Sequence, residues 1–147
     1  MRHLNASTPS FSFDSGVLVE MLLGKIVSGP LLESTITANT CYFNLSEAEY
    51  VLCRLLDRTQ ARSKVDKLVR SNYISLTDVA ELYANAAEIK CERSLALGEC
   101  YTIANAKVTG STALFAFQEE DLKSEMEKKP FDVKIQFTEI LPRTGSP

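Results

Sequence analysis

The feature that most constrains the fold is a regular alternation of two kinds of segment along the chain. Short apolar or β-branched stretches, typical of strands, alternate with segments whose apolar residues recur at helical spacing. Strand stretches are predicted at residues 11–14, 35–45, 73–76, 113–117 and 133–137. Helices are predicted at residues 17–23, 46–56, 60–69, 78–89, 94–108 and 119–128. This order favours a three-layer α/β/α sandwich with a mainly parallel central sheet.

Several of these segments carry recognisable end signals. Residues 113–117 are almost wholly apolar, as expected of a strand buried on both faces. Ser46 with Glu49 three residues later has the pattern of a capping box, which predicts a helix start at Ser46. Gly110 is expected to end the helix at 94–108.

Acidic residues fall at the boundaries of these segments. Asp14 follows the first strand, Glu47 lies in the first turn of the helix after the second strand, and Glu119 follows the buried strand. Glu99 lies inside an apolar helical segment. We expect Asp14, Glu47 and Glu99 to converge in one pocket: Asp14 and Glu47 lie at segment boundaries, and active sites of parallel sheets lie at the carboxyl ends of the strands, whereas for Glu99 the expectation rests on the family resemblance given below.

Two explanations compete for these acids. Carboxylate oxygens are the ligands that Mg²⁺ or Mn²⁺ prefers, and crowded carboxylates persist only with a cation or with raised pKa values. Taken singly, however, Asp14 could cap the helix near Val17, and Glu47 and Glu119 could be favoured by the dipole of a helix start. Glu99, which is flanked by apolar residues, has no such simple explanation.

Composition narrows the function classes. The net charge of -3 argues against a basic nucleic-acid binder, but a nuclease can let a divalent metal supply positive charge. A zinc site is not indicated, since the single histidine, His3, lies in a polar leader and the four cysteines form no C-x-x-C pair. We interpret Cys41, Cys53, Cys91 and Cys100 as reduced, mostly buried thiols.

The length of 147 residues suits one domain. We expect a flexible leader at residues 1–10, the domain at 11–141 and a flexible tail at 142–147. No stretch reaches the roughly 18 apolar residues needed to span a bilayer, and the leader lacks the apolar core of a signal peptide. A cytoplasmic protein without membrane contact is therefore expected.

Three stretches, taken in order, resemble the PIN-domain family, especially VapC-like toxins of archaeal type. Residues 13–20 are similar to the opening strand with its acid, residues 45–54 to the helix of the second acid, and residues 94–106 with 113–116 to the helix of the third acid and the next strand. The resemblance covers residues 11 to 137. It rests on the order and spacing of the three stretches, and no single motif among them is specific to the family.

The resemblance implies a Rossmann-like sandwich, a homodimer, and one or two Mg²⁺ or Mn²⁺ ions that support RNA cleavage by water. Carried over to this sequence, the catalytic and metal-binding residues are Asp14, Glu47, Glu99 and Glu119. The third acid is usually Asp in the family and is Glu99 here. The fourth is usually an Asp after a Thr-containing strand end, whereas here Glu119, Glu120 and Asp121 are all candidates.

The resulting hypothesis is a metal-dependent endoribonuclease, the toxin of a toxin–antitoxin pair, with RNA as substrate and an antitoxin protein as partner. One alternative is a PIN-like binding or scaffold module with little or no catalysis. Another is an RNA-processing PIN nuclease without an antitoxin. We expect the five tyrosines to be core or dimer contacts, and a basic helix surface to be solvated or to meet RNA phosphate; this surface comprises Arg54, Arg58, Arg62, Lys64 and Lys67.

Overall fold

The computed structural model describes residues 8–26, 29, 33 and 35–138. Within them lies one five-stranded sheet in which every neighbouring pair of strands is parallel. The strands are Ser10–Phe13 (β1), Thr37–Thr40 (β2), Ile74–Leu76 (β3), Thr112–Phe115 (β4) and Ile135–Phe137 (β5). Their order across the sheet is β3-β2-β1-β4-β5.

Helices cover both faces of this sheet. They are Ser15–Leu22 (α1), Tyr42–Leu55 (α2), Arg58–Ser71 (α3), Tyr83–Glu92 (α4), Leu97–Thr109 (α5) and Glu120–Lys128 (α6), with a short 3-10 helix at Val79–Glu81. One apolar cluster joins the sheet to α1, α2 and α3, and a second joins it to α4, α5 and α6. The predicted three-layer sandwich is therefore confirmed.

Strand β4 shows why its sequence is apolar throughout. Leu114 belongs to the first cluster, whereas Ala113 and Phe115 belong to the second. A strand that is covered on both faces needs apolar residues at consecutive positions, as expected of parallel sheets.

The strand order reverses between β1 and β4. The chain runs outward from β1 through β2 to β3, then returns to place β4 on the other side of β1. Loops that leave neighbouring strands in opposite directions open a crevice at their carboxyl ends, and ligands of open α/β sheets bind at such switch points. A ligand-binding site is therefore expected at the segments directly after β1 and β4.

The predicted boundary between the second strand and its helix was wrong. The strand ends at Thr40, Cys41 occupies the N-cap, and α2 begins at Tyr42 instead of Ser46. The aromatic residues that suggested a strand pack as part of a helix, since the ring of Phe43 stacks on that of Tyr101 at 4.5 Å. Tertiary packing therefore overrides the local capping pattern.

Two other helices also begin at residues that differ from the predicted ones. Helix α5 begins at Leu97, whose side chain is exposed rather than inward, while Leu95 is buried just before the helix. Asp78 caps only the 3-10 helix, and α4 starts afterwards at Tyr83. The predicted helix end at Gly110 is confirmed by its left-handed backbone, with φ of 68°.

All four cysteines are free thiols. Cys41 and Cys100 are buried and Cys53 is partly buried, but Cys91 is exposed, so burial was predicted wrongly for that residue. The expected leader and tail lie almost entirely outside the described residues, and the domain limits stay predictions. In the described part of the chain, no helix combines the length and apolarity required to cross a membrane.

Candidate metal centre

Asp14 lies at the switch point, directly after β1. It is the N-cap of α1, and its Oδ2 accepts a bond from the Gly16 N–H at 3.4 Å. Its own N–H donates to the Leu114 carbonyl of β4 at 3.0 Å. Its Oδ1 accepts a bond from the Thr102 hydroxyl of α5 at 2.8 Å. The capping role considered for Asp14 is therefore real, but the side chain also faces α5.

Glu47 reaches the same region from α2. Since α2 begins at Tyr42, Glu47 lies in the second turn rather than the first, and the helix dipole gives little reason for an acid there. Its carboxylate lies against Gly98 of α5, so closely that a Cβ at position 98 would overlap it. Within the described structure, Glu47 Oε1 is buried without a hydrogen-bond partner.

Glu99 occupies the first turn of α5 and is half-buried. Its carboxylate reaches back to accept a hydrogen bond from the Ala96 N–H at 2.9 Å. The expectation that Glu99 lies in the interior of an apolar helix was therefore wrong, because the helix starts only two residues earlier. A structural capping role thus exists for this acid as well.

The fourth acid comes from the segment after β4. Glu119 is the N-cap residue of α6, but its side chain makes no capping hydrogen bond. Glu120 and Asp121 are the first two residues of α6, and all three side chains are exposed. Glu119 and Asp121 are the charges from this segment that act on Glu99.

These acids perturb one another electrostatically. Burial is the main cause that raises the pKa of Asp14, and the charge of Glu119 adds to it. Burial also raises the pKa of Glu47, followed by the charge of Asp14, whereas hydrogen bonds from the side chains of Ser15 and Asn44 lower it and the charge of Glu99 adds a smaller increase. The pKa of Glu99 is raised by burial first, then by the charges of Asp14, Glu119 and Asp121. The charge of Asp14 thus acts on Glu47 and Glu99, and the charge of Glu119 acts on Asp14 and Glu99.

The donor set fits a hard divalent cation in its chemistry. It consists of carboxylate oxygens, which suit Mg²⁺ or Mn²⁺, and the partnerless Oε1 of Glu47 is an oxygen that a cation would satisfy. In the part of the chain that the structure describes, no three His, Cys, Asp or Glu side chains stand in ligand geometry. Metal binding by these residues therefore stays a prediction.

Sequence reasoning missed the polar residues that support the acids. Thr102 and Asn44 are fully or almost fully buried, and Asn44 Nδ2 lies 3.3 Å from Thr102 Oγ1. Thr102 follows Glu99 by three residues, so the two side chains share a face of α5. That spacing was a usable signal for Thr102. Asn44 was hidden because the start of α2 was misplaced.

A second concave surface lies between α2 and α3, with a volume of about 700 Å³. On its rim Arg62 pairs with Glu49 at 2.9 Å, and Arg54 stacks over the ring of Tyr50. Part of the basic helix surface is thus engaged with neighbouring side chains. Of the tyrosines expected to be core or dimer contacts, Tyr101 lies in the core. Three others are half-exposed or more, so for them a dimer contact stays a prediction: Tyr42, Tyr50 and Tyr83.

Comparison with known proteins supports the fold. No family model matches the chain, and no curated protein matches its sequence. A chain in the crystal structure of VapBC2 from Rickettsia felis, bound to a DNA fragment from the promoter, superposes with a TM-score of 0.65 at 14% identity. The match covers 87% of this chain and 98% of that one.

A chain of the DNA-bound VapBC structure from Salmonella typhimurium also has a TM-score of 0.65, at 11% identity. Here the match covers 88% of this chain and 98% of that one. The predicted resemblance to PIN-domain, VapC-like proteins is therefore confirmed at the level of the fold.

Proposed function

We propose that this protein is a metal-dependent endoribonuclease that hydrolyses RNA phosphodiester bonds and acts as the toxin of a toxin–antitoxin pair. The observation that carries the proposal is the group of mutually perturbed carboxylates at the switch point, with the buried, partnerless Oε1 of Glu47 among them. Likeness of fold to chains of VapBC complexes supports the toxin–antitoxin part. The homodimer implied by the resemblance stays a prediction.

Each acid has a distinct part in this proposal. Asp14, Glu47 and Glu99 would hold Mg²⁺ or Mn²⁺, with Glu119 as the fourth ligand and Asp121 as its closest alternative. A divalent cation bound there would activate water and neutralise charge that develops on phosphate. Without it, the clustered carboxylates would repel the RNA backbone. Glu119 is exposed and therefore lies on the side from which RNA would approach.

The alternative of a PIN-like binding module also has an observation in its favour. Asp14 caps α1, and Glu99 accepts a hydrogen bond from Ala96, so two of the acids have structural roles that need no metal. A module of this kind would keep its fold and its partner but cleave no RNA. Substitutions that retain capping and remove charge separate the two proposals.

The test compares two Asp→Asn variants. Asp14 and Asp57 are both helix N-caps whose side chains accept a backbone N–H, but Asp57 caps α3 and is exposed. Asn caps as well as Asp. We expect wild type and Asp57→Asn to cleave RNA with Mn²⁺ and not with EDTA. Asp14→Asn should lose at least about 100-fold in rate, a range typical of losing an electrostatic catalytic group.

Two outcomes would count against this proposal. Equal Mn²⁺-dependent cleavage by all three proteins would remove Asp14 from the site and point to a contaminating nuclease. The absence of cleavage by the wild type, with single-stranded and structured RNA alike, would favour the binding module.

A further inference from the structure

A buried hydrogen-bond chain leads from α2 through α5 to Asp14. The Cys41 thiol donates to Asn44 Oδ1 at 3.1 Å, and Asn44 Nδ2 donates to Thr102 Oγ1 at 3.3 Å. The Thr102 hydroxyl then lies 2.8 Å from Asp14 Oδ1. Cys41, Asn44 and Thr102 each have no more than 1% of their surface exposed, so water does not compete for these bonds.

Neighbouring groups determine which atom donates and which accepts at each hydrogen bond of this series. Asn44 Nδ2 also lies 3.1 Å from the Gly98 carbonyl, which can only accept a hydrogen bond. The amide nitrogen must therefore face Gly98 and Thr102, while the amide oxygen faces the thiol of Cys41. As a result Thr102 Oγ1 accepts from Asn44 and keeps its one proton for another partner.

Two acceptors compete for that proton. Thr102 Oγ1 lies 3.0 Å from the Gly98 carbonyl and 2.8 Å from Asp14 Oδ1. The Gly98 carbonyl already accepts from Asn44, and an ionised carboxylate is the stronger acceptor. The proton therefore goes to Asp14 whenever Asp14 is charged.

Thr102 is itself held in place from a third element. The Ser12 hydroxyl of β1 donates to the Thr102 carbonyl at 2.8 Å, which ties this turn of α5 to the strand that ends at Asp14. The turn of α5 that carries Thr102 is therefore hydrogen-bonded to the strand that precedes Asp14.

We propose that Thr102, oriented by Asn44, is a positioning residue that fixes Oδ1 of Asp14 and presents Oδ2 to a cation. The bond that Oδ2 accepts from the Gly16 N–H, at 3.4 Å, is longer than the 2.8 Å bond that Oδ1 accepts from Thr102. This inference rests on the proposed metal-dependent function and deepens it. Residues that hydrogen-bond to metal ligands orient them, and their loss weakens metal binding by about 10- to 100-fold.

The experiment measures Mn²⁺ binding, by electron paramagnetic resonance of free Mn²⁺, rather than activity. Thr102→Val removes the hydroxyl at nearly constant shape, and Thr102→Ser retains it. Thr109→Val is the matched control, since Thr109 ends the same helix and its hydroxyl donates to the Asn105 carbonyl at 2.7 Å. We expect Thr102→Val to raise the Mn²⁺ dissociation constant by about 10-fold or more, with Thr102→Ser and Thr109→Val close to wild type.

Each other outcome has a definite meaning. Wild-type Mn²⁺ affinity in folded Thr102→Val would overturn the inference and leave the proposed function standing. No Mn²⁺ binding by the wild type would overturn both. If Thr102→Val does not fold, as judged by circular dichroism, Thr102→Ala removes the same hydroxyl in a smaller side chain and carries the same expectation. Weak binding by Thr102→Ser as well as Thr102→Val would mean that packing, not the hydroxyl, matters.

Discussion

At the scale of single residues, Asp14 combines a helix-capping role with an unfavourable charge. Burial raises its pKa above the ordinary value of 3.8. The folded protein therefore binds this proton more tightly than the unfolded chain, and metal-free stability falls as pH rises through the raised pKa. Asp14→Asn removes the charge and keeps the capping oxygen.

The first prediction follows from this fall in metal-free stability with rising pH. In EDTA, Asp14→Asn should melt at a higher temperature than wild type at a pH above the raised pKa of Asp14, and the difference should shrink as the pH falls through that pKa and Asp14 becomes protonated. Adding Mn²⁺ at the higher pH should stabilise wild type more than the variant, because only the wild type retains the full site. A variant that is less stable than wild type at every pH would show that Asp14 is mainly structural.

The second prediction concerns Gly98, which leaves room for the carboxylate of Glu47. In the wild-type background, Gly98→Ala must push the Glu47 carboxylate aside; because that group ends a flexible side chain, the protein should be destabilised by no more than about 1 kcal/mol, the low end of overpacking. In a Glu47→Ala background the same change should stabilise it by up to about 1 kcal/mol, because Ala is the better helix former. Urea unfolding of wild type, the two single variants and the double variant completes the double-mutant cycle. The same sign in both backgrounds would contradict the contact between Glu47 and α5.

At the scale of elements, periodicity predicted the interiors of helices and strands better than their ends. The strand that ends at Phe13 and the helix Arg58–Ser71 were located from pattern alone. The start of α2 was not, because the contacts that hold Phe43 and Asn44 in the helix are with distant residues, Tyr101 and Gly98. A local pattern contains no information about such contacts.

The third prediction tests that helix start. If Ser46 were the N-cap, Ser46→Ala would cost about 1 kcal/mol. Ser46 is instead an exposed residue within α2, so Ser46→Ala should be neutral or stabilising by up to about 0.5 kcal/mol. Thermal unfolding of the variant distinguishes a helix that starts at Ser46 from one that starts at Tyr42. A clear loss of stability would place the start of α2 at Ser46 after all.

At the scale of the whole molecule, alternation of segment types was sufficient to predict a parallel α/β sandwich. The strand order was not predicted, since which strand neighbours β1 depends on connections that any βαβ chain could make in several ways. Convergence of Asp14, Glu47 and Glu99 was expected from segment boundaries together with the family resemblance. The network of Asn44 and Thr102 beneath them emerges only when α2 and α5 are packed together.

A crystal grown with Mn²⁺ tests whether these acids hold a divalent cation. We expect an anomalous peak among the acids, bonded to carboxylate oxygens of Asp14 and Glu47 at about 2.1 Å, the range of hard divalent cations. The peak should be absent from crystals of Asp14→Asn. A well-ordered wild-type structure with no such peak at millimolar Mn²⁺, or with the ion only at exposed carboxylates elsewhere, would show that these acids do not form a metal site.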